Sequence, residues 1–229
     1  MSKPAPRGAD RTEAWVTEAW AMVDEGGEAA LSLRALAQRV GVTQPALYRH
    51  FASRDALLDE VSARGMLALD AELADLPAHD AWVALRDGGR TLLRYTLAHP
   101  GWFRLAFGRQ RVGPMSARML GQPQPGRMAA ISALTRVVPP DDPAFGDTFR
   151  VYWALLLGLA NMLLERTFQL VQTDEARLAA AYDVLDCWLD QLRARWGDAR
   201  HPPRPEDGAR AIVESAAAIQ RRVDAQGEG

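Results

Sequence analysis

The chain is poor in cysteine, in lysine and in long apolar runs. A single cysteine, Cys187, among 229 residues excludes an internal disulfide framework and a cysteine-based zinc site within one chain, and fits a reducing compartment. No apolar run approaches the roughly 20 residues that span a bilayer, and the opening MSKPAPRGAD lacks the apolar core of a signal peptide. A cytoplasmic protein without membrane contact is expected. Lys3 is the only lysine among 27 basic residues, a bias that points to a GC-rich genome and to no mechanism. The histidines, His50, His79, His99 and His201, are scattered, with no HExxH or paired Cys/His spacing. Neither a glycine-rich phosphate loop after a strand nor a GxSxG elbow is present. No catalytic residue, metal site or cofactor is expected, and an all-helical enzyme is the least favoured reading.

Acidic residues are missing from two long stretches. Between Ala29 and Arg54 there is no Asp or Glu, while Arg34, Arg39, Arg49 and Arg54 are present. With a net charge of −2 for the whole chain, contact with a polyanion has to come from such a local patch. Between Gly88 and Pro140 acids are absent again, although the chain's 29 acids spread evenly would place about seven there. That stretch holds Arg90, Arg94, Arg104, Arg109, Arg111, Arg118, Arg127 and Arg136, either facing a negatively charged ligand or paired with acids elsewhere in the fold.

What is present between Leu31 and Leu58 is a compact set of helix signals. Ser32 can N-cap a helix whose apolar face is Leu33, Leu36, Ala37 and Val40. Gly41 permits a sharp corner. Thr43 can cap a second helix with Pro45 in its first turn, and Ser53 opens a third with Asp55 near its positive end. Two helices across a glycine corner form a helix-turn-helix, whose second helix, Thr43 to Arg49, is of the kind that enters a major groove. The spacing alone also fits an ordinary helical corner.

The run Gly41-Val42-Thr43-Gln44-Pro45-Ala46-Leu47-Tyr48-Arg49-His50-Phe51, followed by Ser53-Arg54-Asp55-Ala56-Leu57-Leu58, resembles the DNA-binding signature of the TetR/AcrR (tetracycline repressor) family of bacterial regulators. The resemblance covers roughly Arg11 to Val61. It implies that Arg34, Gln44, Pro45, Ala46 and Arg49 face base edges, and that Thr43, Tyr48, His50 and Arg54 hold phosphates. Arg54 stands where the family usually has Lys; both are cations, with different geometry. The implied protein is a ligand-responsive dimeric transcriptional regulator, most readily a repressor released from a palindromic operator by a small molecule. A DNA-binding regulator without such an effector is the alternative.

The remaining chain reads as helices, so an all-α fold is expected. It would comprise a three-helix DNA-binding domain at 1–60, a larger effector-binding and dimerisation domain at 61–200, and a linker with a C-terminal helix at 201–229. Asp10 and Glu13 have capping-box spacing at the start of a first helix, and residues before Asp10 are expected to be a disordered arm. The Gly88-Gly89 pair marks either a close helix crossing or a kink. Gly108 to Arg127 reads as a long connection with one helical turn near Met115 to Leu120. In the resembled family the segment after His99-Pro100 lines the effector pocket, which would assign Trp102, Phe103, Arg104 and Phe107 to it, with Met128, Trp153 and Asn161 from later helices. Plain core is the other reading of these aromatics. Such a pocket, apolar with a cationic mouth, suits an apolar anion. Between Arg150 and Glu165 the sequence carries no charge and must be covered all round. Its small-residue stripe Ala154, Gly158 and Asn161, and the seam Leu178, Tyr182, Leu185, Leu189, Leu192 and Trp196 of the next helix, are expected to pair with a second copy.

Overall fold

A computed structural model describes residues 8–76, 79–108, 124–167 and 173–197; residues 1–7 of the expected N-terminal arm, the helical turn near Met115 and the C-terminal linker and helix lie outside them. All regular structure among the described residues is helical: α1 Gly8–Gly26, a single 3-10 turn Glu28–Ala30, α2 Leu33–Arg39, α3 Gln44–Tyr48, α4 Arg54–Ala74, α5 Ala81–Ala98, α6 Pro100–Phe107, α7 Pro125–Val137, α8 Phe145–Leu164 and α9 Asp174–Trp196. The fold is all-α. It divides into two compact units. The first takes the described residues through Ala68 and resumes at Ala98; the second takes Leu69–Leu97 and resumes at Gln124. Along α4 this division falls after Ala68, and α6 belongs to the first unit.

The first unit is built on an apolar stripe of α1, where Trp15, Val16, Ala19, Met22 and Val23 recur at helical spacing and are all buried. Leu31, Leu33, Leu36, Leu47, Phe51, Leu57, Leu58, Val61 and Leu105 close the core around it. α1 begins at Gly8, before Asp10, and Glu13 pairs with Arg64, so the expected capping box is replaced by an earlier helix start and an ion pair to α4. α6 docks closely. A Cβ on Gly101 would lie 2.0 Å from the Val23 carbonyl oxygen, so the backbones meet directly. His99 Nδ1 lies 2.6 Å from the Asp24 carboxylate. Trp102 is fully buried, stacks on Trp20 and donates from Nε1 to the Ser62 carbonyl at 3.1 Å. An indole placed this way stabilises the unit by about 3–5 kcal/mol relative to alanine.

In the second unit α5 crosses α8 and α9 at Gly89, whose added Cβ would lie 2.6 Å from Leu185 and 3.1 Å from Leu156. The glycine pair thus marks a close crossing within one continuous helix. Tyr152 donates to the Leu85 carbonyl at 2.6 Å, and burial pushes its phenol above the ordinary range. Asp80 caps α5 by accepting from the backbone N–H of Trp82 and Val83, and Asp70 accepts from Arg127 N at 2.7 Å at the start of α7. Leu185, Leu189 and Leu192 are buried within the chain and Leu178 and Tyr182 are half-buried, so the α9 seam serves packing inside one copy. Beyond the charged Asp147 and Arg150 near its start, α8 exposes Val151, Trp153, Ala154, Gly158, Asn161 and Met162, and Val184, Cys187 and Gln191 are among the exposed residues of α9.

Candidate nucleic-acid interface

The reader is assembled from short elements that local sequence specifies. Ser32 adopts an extended backbone and its hydroxyl accepts from Ala35 N at 3.0 Å, starting α2. Gly41 turns the corner at φ +68°, a conformation that favours glycine. Thr43 stands at the N-cap of α3, but its side chain makes no capping bond; Pro45, which needs no backbone acceptor there, starts the helix instead. Ser53 caps α4 by accepting from Ala56 N at 3.1 Å. Leu47 is the buried anchor of α3, so the remaining side chains of this one-turn helix are turned outward.

Arg34, Thr43, Gln44, Pro45, Tyr48, Arg49 and His50 are exposed, and Ala46 is half-buried. Tyr48 leaves 51% of its surface to solvent, a large value for an aromatic ring. The positive field is smaller than the acid-free sequence suggests. Arg39 makes a bidentate pair with Glu25, at 2.8 and 2.9 Å, and a second pair with Glu18. The Arg39 bond holds the Glu25 carboxyl below its ordinary range, and the two carboxylates hold the guanidinium above its own. Arg54 binds the Leu31 and Glu28 carbonyls and the Glu28 carboxylate. Its guanidinium clasps the turn before α2. Arg34 and Arg49 carry no ion pair among the described residues, and they flank α3. His50 lies against α1, with Nδ1 3.0 Å from Thr12 Oγ1 and Trp15 edge-on to its ring.

Glu18, Glu25, Glu28 and Thr12 were not singled out by the sequence. Glu18 and Glu25 are seven apart, two turns on one face of α1, which is the signal that could have marked them as a pair aimed at one cation.

The seven residues expected around an effector fall in two units. Trp102 and Phe103 are core of the first, Phe107 packs on both at 5.9 and 4.9 Å, and Arg104 is exposed. In the second, Met128 is half-buried on α7, while Trp153 and Asn161 lie exposed on α8, Asn161 donating to the Leu157 carbonyl. The acid-free arginines of this region find acids elsewhere: Arg90 pairs with Asp186 and Arg94 with Glu72, at 2.5 and 2.6 Å. Arg136 donates to the His79 carbonyl. The charge argument for an anionic ligand is thus weakened, since Arg90 and Arg94 are paired with acids, and Arg109, Arg111 and Arg118 lie outside the described residues. No group of three or more His, Cys, Asp or Glu that could hold a metal occurs among the described residues, and none of their helices is long and apolar enough to cross a membrane.

A family model described as bacterial regulatory proteins, tetR family, matches residues 16–61, and a second, described as tetracyclin repressor-like, C-terminal domain, matches residues 85–185. The chain is 35% identical over 85 residues to tetracycline repressor protein class C of Escherichia coli, a match that takes 37% of this chain and 38% of that protein. It therefore spans little more than a third of that relative's length. A protein of unknown function from Rhodococcus sp. RHA1 shares the fold with a TM-score of 0.63 at 23% identity, over 87% of this chain and 100% of that one. A TetR variant from Acinetobacter baumannii AYE in complex with minocycline gives a TM-score of 0.51 at 22% identity, over 81% of this chain and 98% of that one.

Proposed function

Since the chain belongs to the tetR family of bacterial regulatory proteins, DNA-binding transcriptional regulators, we propose that it acts as a homodimeric repressor that binds a pseudo-palindromic operator and is released by a small-molecule effector. The observation that carries this reading is the outward face of α3, where Gln44, Tyr48 and Arg49 are exposed around a single buried anchor, with Arg34 and Arg49 carrying no ion pair among the described residues. Gln44 suits bidentate recognition of an adenine and Arg34 or Arg49 of a guanine, each contributing about 1–3 kcal/mol of discrimination. Thr43, Tyr48 and His50 are suited to phosphates.

Dimerisation is supported by an apolar surface that the described residues leave exposed. Val151, Trp153, Met162 and Val184 are each more than a third exposed. Gly158 lies on α8, and among the described residues nothing beyond its own neighbours and helix backbone comes within 4 Å of where a Cβ would stand. Another helix can approach closely there, and a two-fold pair would present two readers to two half-sites about one helical turn apart, ~34–36 Å. An effector is supported by the match to the tetracyclin repressor-like C-terminal domain and by the minocycline-bound relative of similar fold. With Arg90 and Arg94 neutralised, an apolar anion is favoured no more than a neutral molecule.

The test is selection of DNA fragments by the purified protein, followed by mobility shift. A recovered inverted repeat, retarded with a stoichiometry of two chains, is the expected result. Absence of specific retardation even at low salt refutes the reading and returns weight to an enzymatic or other role.

A further inference from the structure

Two buried side chains of the second unit each hold a polar atom without a partner. Thr96, on α5, is fully buried, and its Oγ1 makes no hydrogen bond. A helical threonine can turn its hydroxyl back to the carbonyl three or four residues earlier, as Thr17 does to Glu13, Thr135 to Ser132 and Thr148 to Ala144, each at 2.8 Å. Thr96 forgoes that bond. Arg177, on α9, is 4% exposed, and its Nε has no acceptor. One terminal nitrogen of its guanidinium meets the carboxylate of Asp174, one turn earlier. A long cationic side chain ordinarily carries its head into water; this one is drawn in.

The two residues lie toward the same end of the unit. α5 and α9 run antiparallel, since Arg86 reaches Asp190 while Arg90 reaches Asp186 and its carbonyl accepts from Tyr182. The helices meet at Gly89 and Leu185. Thr96 continues the Gly89 face of α5, and Arg177 continues the buried stripe Leu185–Ala181 of α9, each about two turns, roughly 10–12 Å, past the crossing in one direction. α8 runs alongside, with Tyr152 at Leu85 and Leu156 at Gly89, so its buried Leu159, Ala160 and Leu163 follow toward that end.

The chemistry that satisfies both atoms is narrow. Nε–H only donates, and a threonine hydroxyl can donate beside it. An ammonium leaves Nε–H unmet and sets a second cation against the guanidinium. A water that accepts there keeps its own hydrogens among aliphatic side chains. A carboxylate or carbonyl oxygen brings lone pairs and no hydrogen, and its bond to a guanidinium is of the stronger, charge-assisted kind.

We propose that Thr96 and Arg177 form the polar end of a small-molecule site between α5, α8 and α9, which takes a compound with an apolar body and a carboxylate or carbonyl oxygen. That this compound is the effector rests on the regulator reading proposed above; its binding is measured without DNA.

The experiment uses the full chain. Octanoate and phenylacetate, their amides, and octylamine and phenethylamine are screened by thermal shift and titrated by calorimetry. The carboxylates or the amides are expected to raise Tm and the amines to leave it unchanged, and the stronger of the first two classes tells whether charge or the oxygen alone is recognised. Thr96→Val and Arg177→Met are each expected to weaken binding by about tenfold or more, with Thr96→Ser retaining it. In the free protein Thr96→Val, which replaces an orphaned hydroxyl by a methyl group, is expected to raise Tm by about 2–4 °C. The proposal is overturned if no carboxylate or amide shifts Tm, if the amines shift it equally, if both variants bind as the wild type does, or if Thr96→Val lowers the Tm of the free protein, the result expected of a hydroxyl already satisfied by the chain or by an ordered water. Release of a duplex recovered by selection is read separately: a probe that binds through Thr96 and Arg177 yet leaves the duplex bound overturns the effector role and supports the ligand site alone.

Discussion

Replacing Arg54 separates two roles that lead to different results. The family resemblance places it on a phosphate. In the structure its Nε donates to the Leu31 carbonyl at 2.8 Å, one terminal nitrogen donates to the Glu28 carbonyl at 2.6 Å, and the other meets the Glu28 carboxylate at 3.2 Å. Those carbonyls belong to the 3-10 turn and the entry to α2, so the first residue of α4 holds the approach to the reader in place. A hydrogen bond from a charged group contributes about 1.5–3 kcal/mol when shielded. The Arg54 side chain is 39% exposed and water can reach the freed carbonyls, so Arg54→Ala is expected to destabilise by about 1–2 kcal/mol in all, the exposed pair with Glu28 adding little. For a chain of this size that lowers Tm by about 2–8 °C.

Phosphate contact predicts something else. Removing one neutralised phosphate per half-site flattens the dependence of log affinity on log salt by about 0.9 for each, hence about 1.8 for a dimer. If Arg54 is a clasp, the salt slope stays at its wild-type value while Tm falls, and Arg54→Lys recovers little, because one ammonium cannot span two carbonyls as a planar guanidinium does. Anisotropy titrations over a range of salt, paired with thermal unfolding, read both quantities. A slope reduced by about two with unchanged Tm refutes the clasp and puts Arg54 on the DNA.

Gly158→Leu tests the exposed face of α8: with nothing among the described residues beyond its own neighbours and helix backbone within 4 Å of the added Cβ, and a gain of about 1 kcal/mol in helix propensity over glycine, the monomer fold should be kept while light scattering shows one chain instead of two and operator affinity collapses. A variant that stays dimeric moves the interface elsewhere. Asp80→Ala removes the α5 cap and is expected to destabilise by about 1 kcal/mol at neutral pH. The Asp80 carboxyl is held below its ordinary range by the backbone N–H of Val83, against the opposing effect of burial, and then by that of Trp82. Its stabilisation is therefore present above the ordinary carboxyl range and disappears as pH falls through the lowered value. The difference in unfolding free energy between wild type and Asp80→Ala should vanish in acid, and a difference that persists there excludes the carboxylate as its source.

Much of the reader was legible because the signals are local. A capping hydroxyl at Ser32 or Ser53, a glycine at a left-handed corner and a proline in a first turn each act within three residues. Pairings across the chain were not legible. The positive stretch from Arg34 to Arg54 looked unopposed because Glu18, Glu25 and Glu28 lie before it in sequence, and only the packing of α1 and the 3-10 turn brings two of its four arginines to them. The seam of α9 was read as a dimer surface because a heptad-like pattern does not say which helix fills it; Leu185 sits against Gly89 of the same chain. The aromatics of α6 satisfied pocket and core equally in sequence, and what distinguishes them is Gly101 and Gly65, whose missing side chains let α6 and Trp102 reach α1 and α4.

That last arrangement bears on how a regulator of this kind could be controlled. Residues up to Ala68 do not complete the first unit, since Trp102, Phe103 and Leu105 are each buried in it. α6 is joined to the end of α5 by His99 alone, and His99 bonds the Asp24 carboxylate, which also accepts from Trp102 N. At Gly101 the helix meets the α1 backbone without an intervening side chain. A contact of that kind does not deform in small steps: α6 cannot slide along α1 without backbone collision, so it moves with α1 or detaches from it. α1 in turn carries Glu18 and Glu25, which hold Arg39 at the end of α2, and Thr12, which holds His50 at the end of α3. On the proposed reading, an effector that displaces the end of α5 acts on both reading helices through α6 and α1, and it does so only to the extent that it binds the displaced state more tightly than the DNA-bound one.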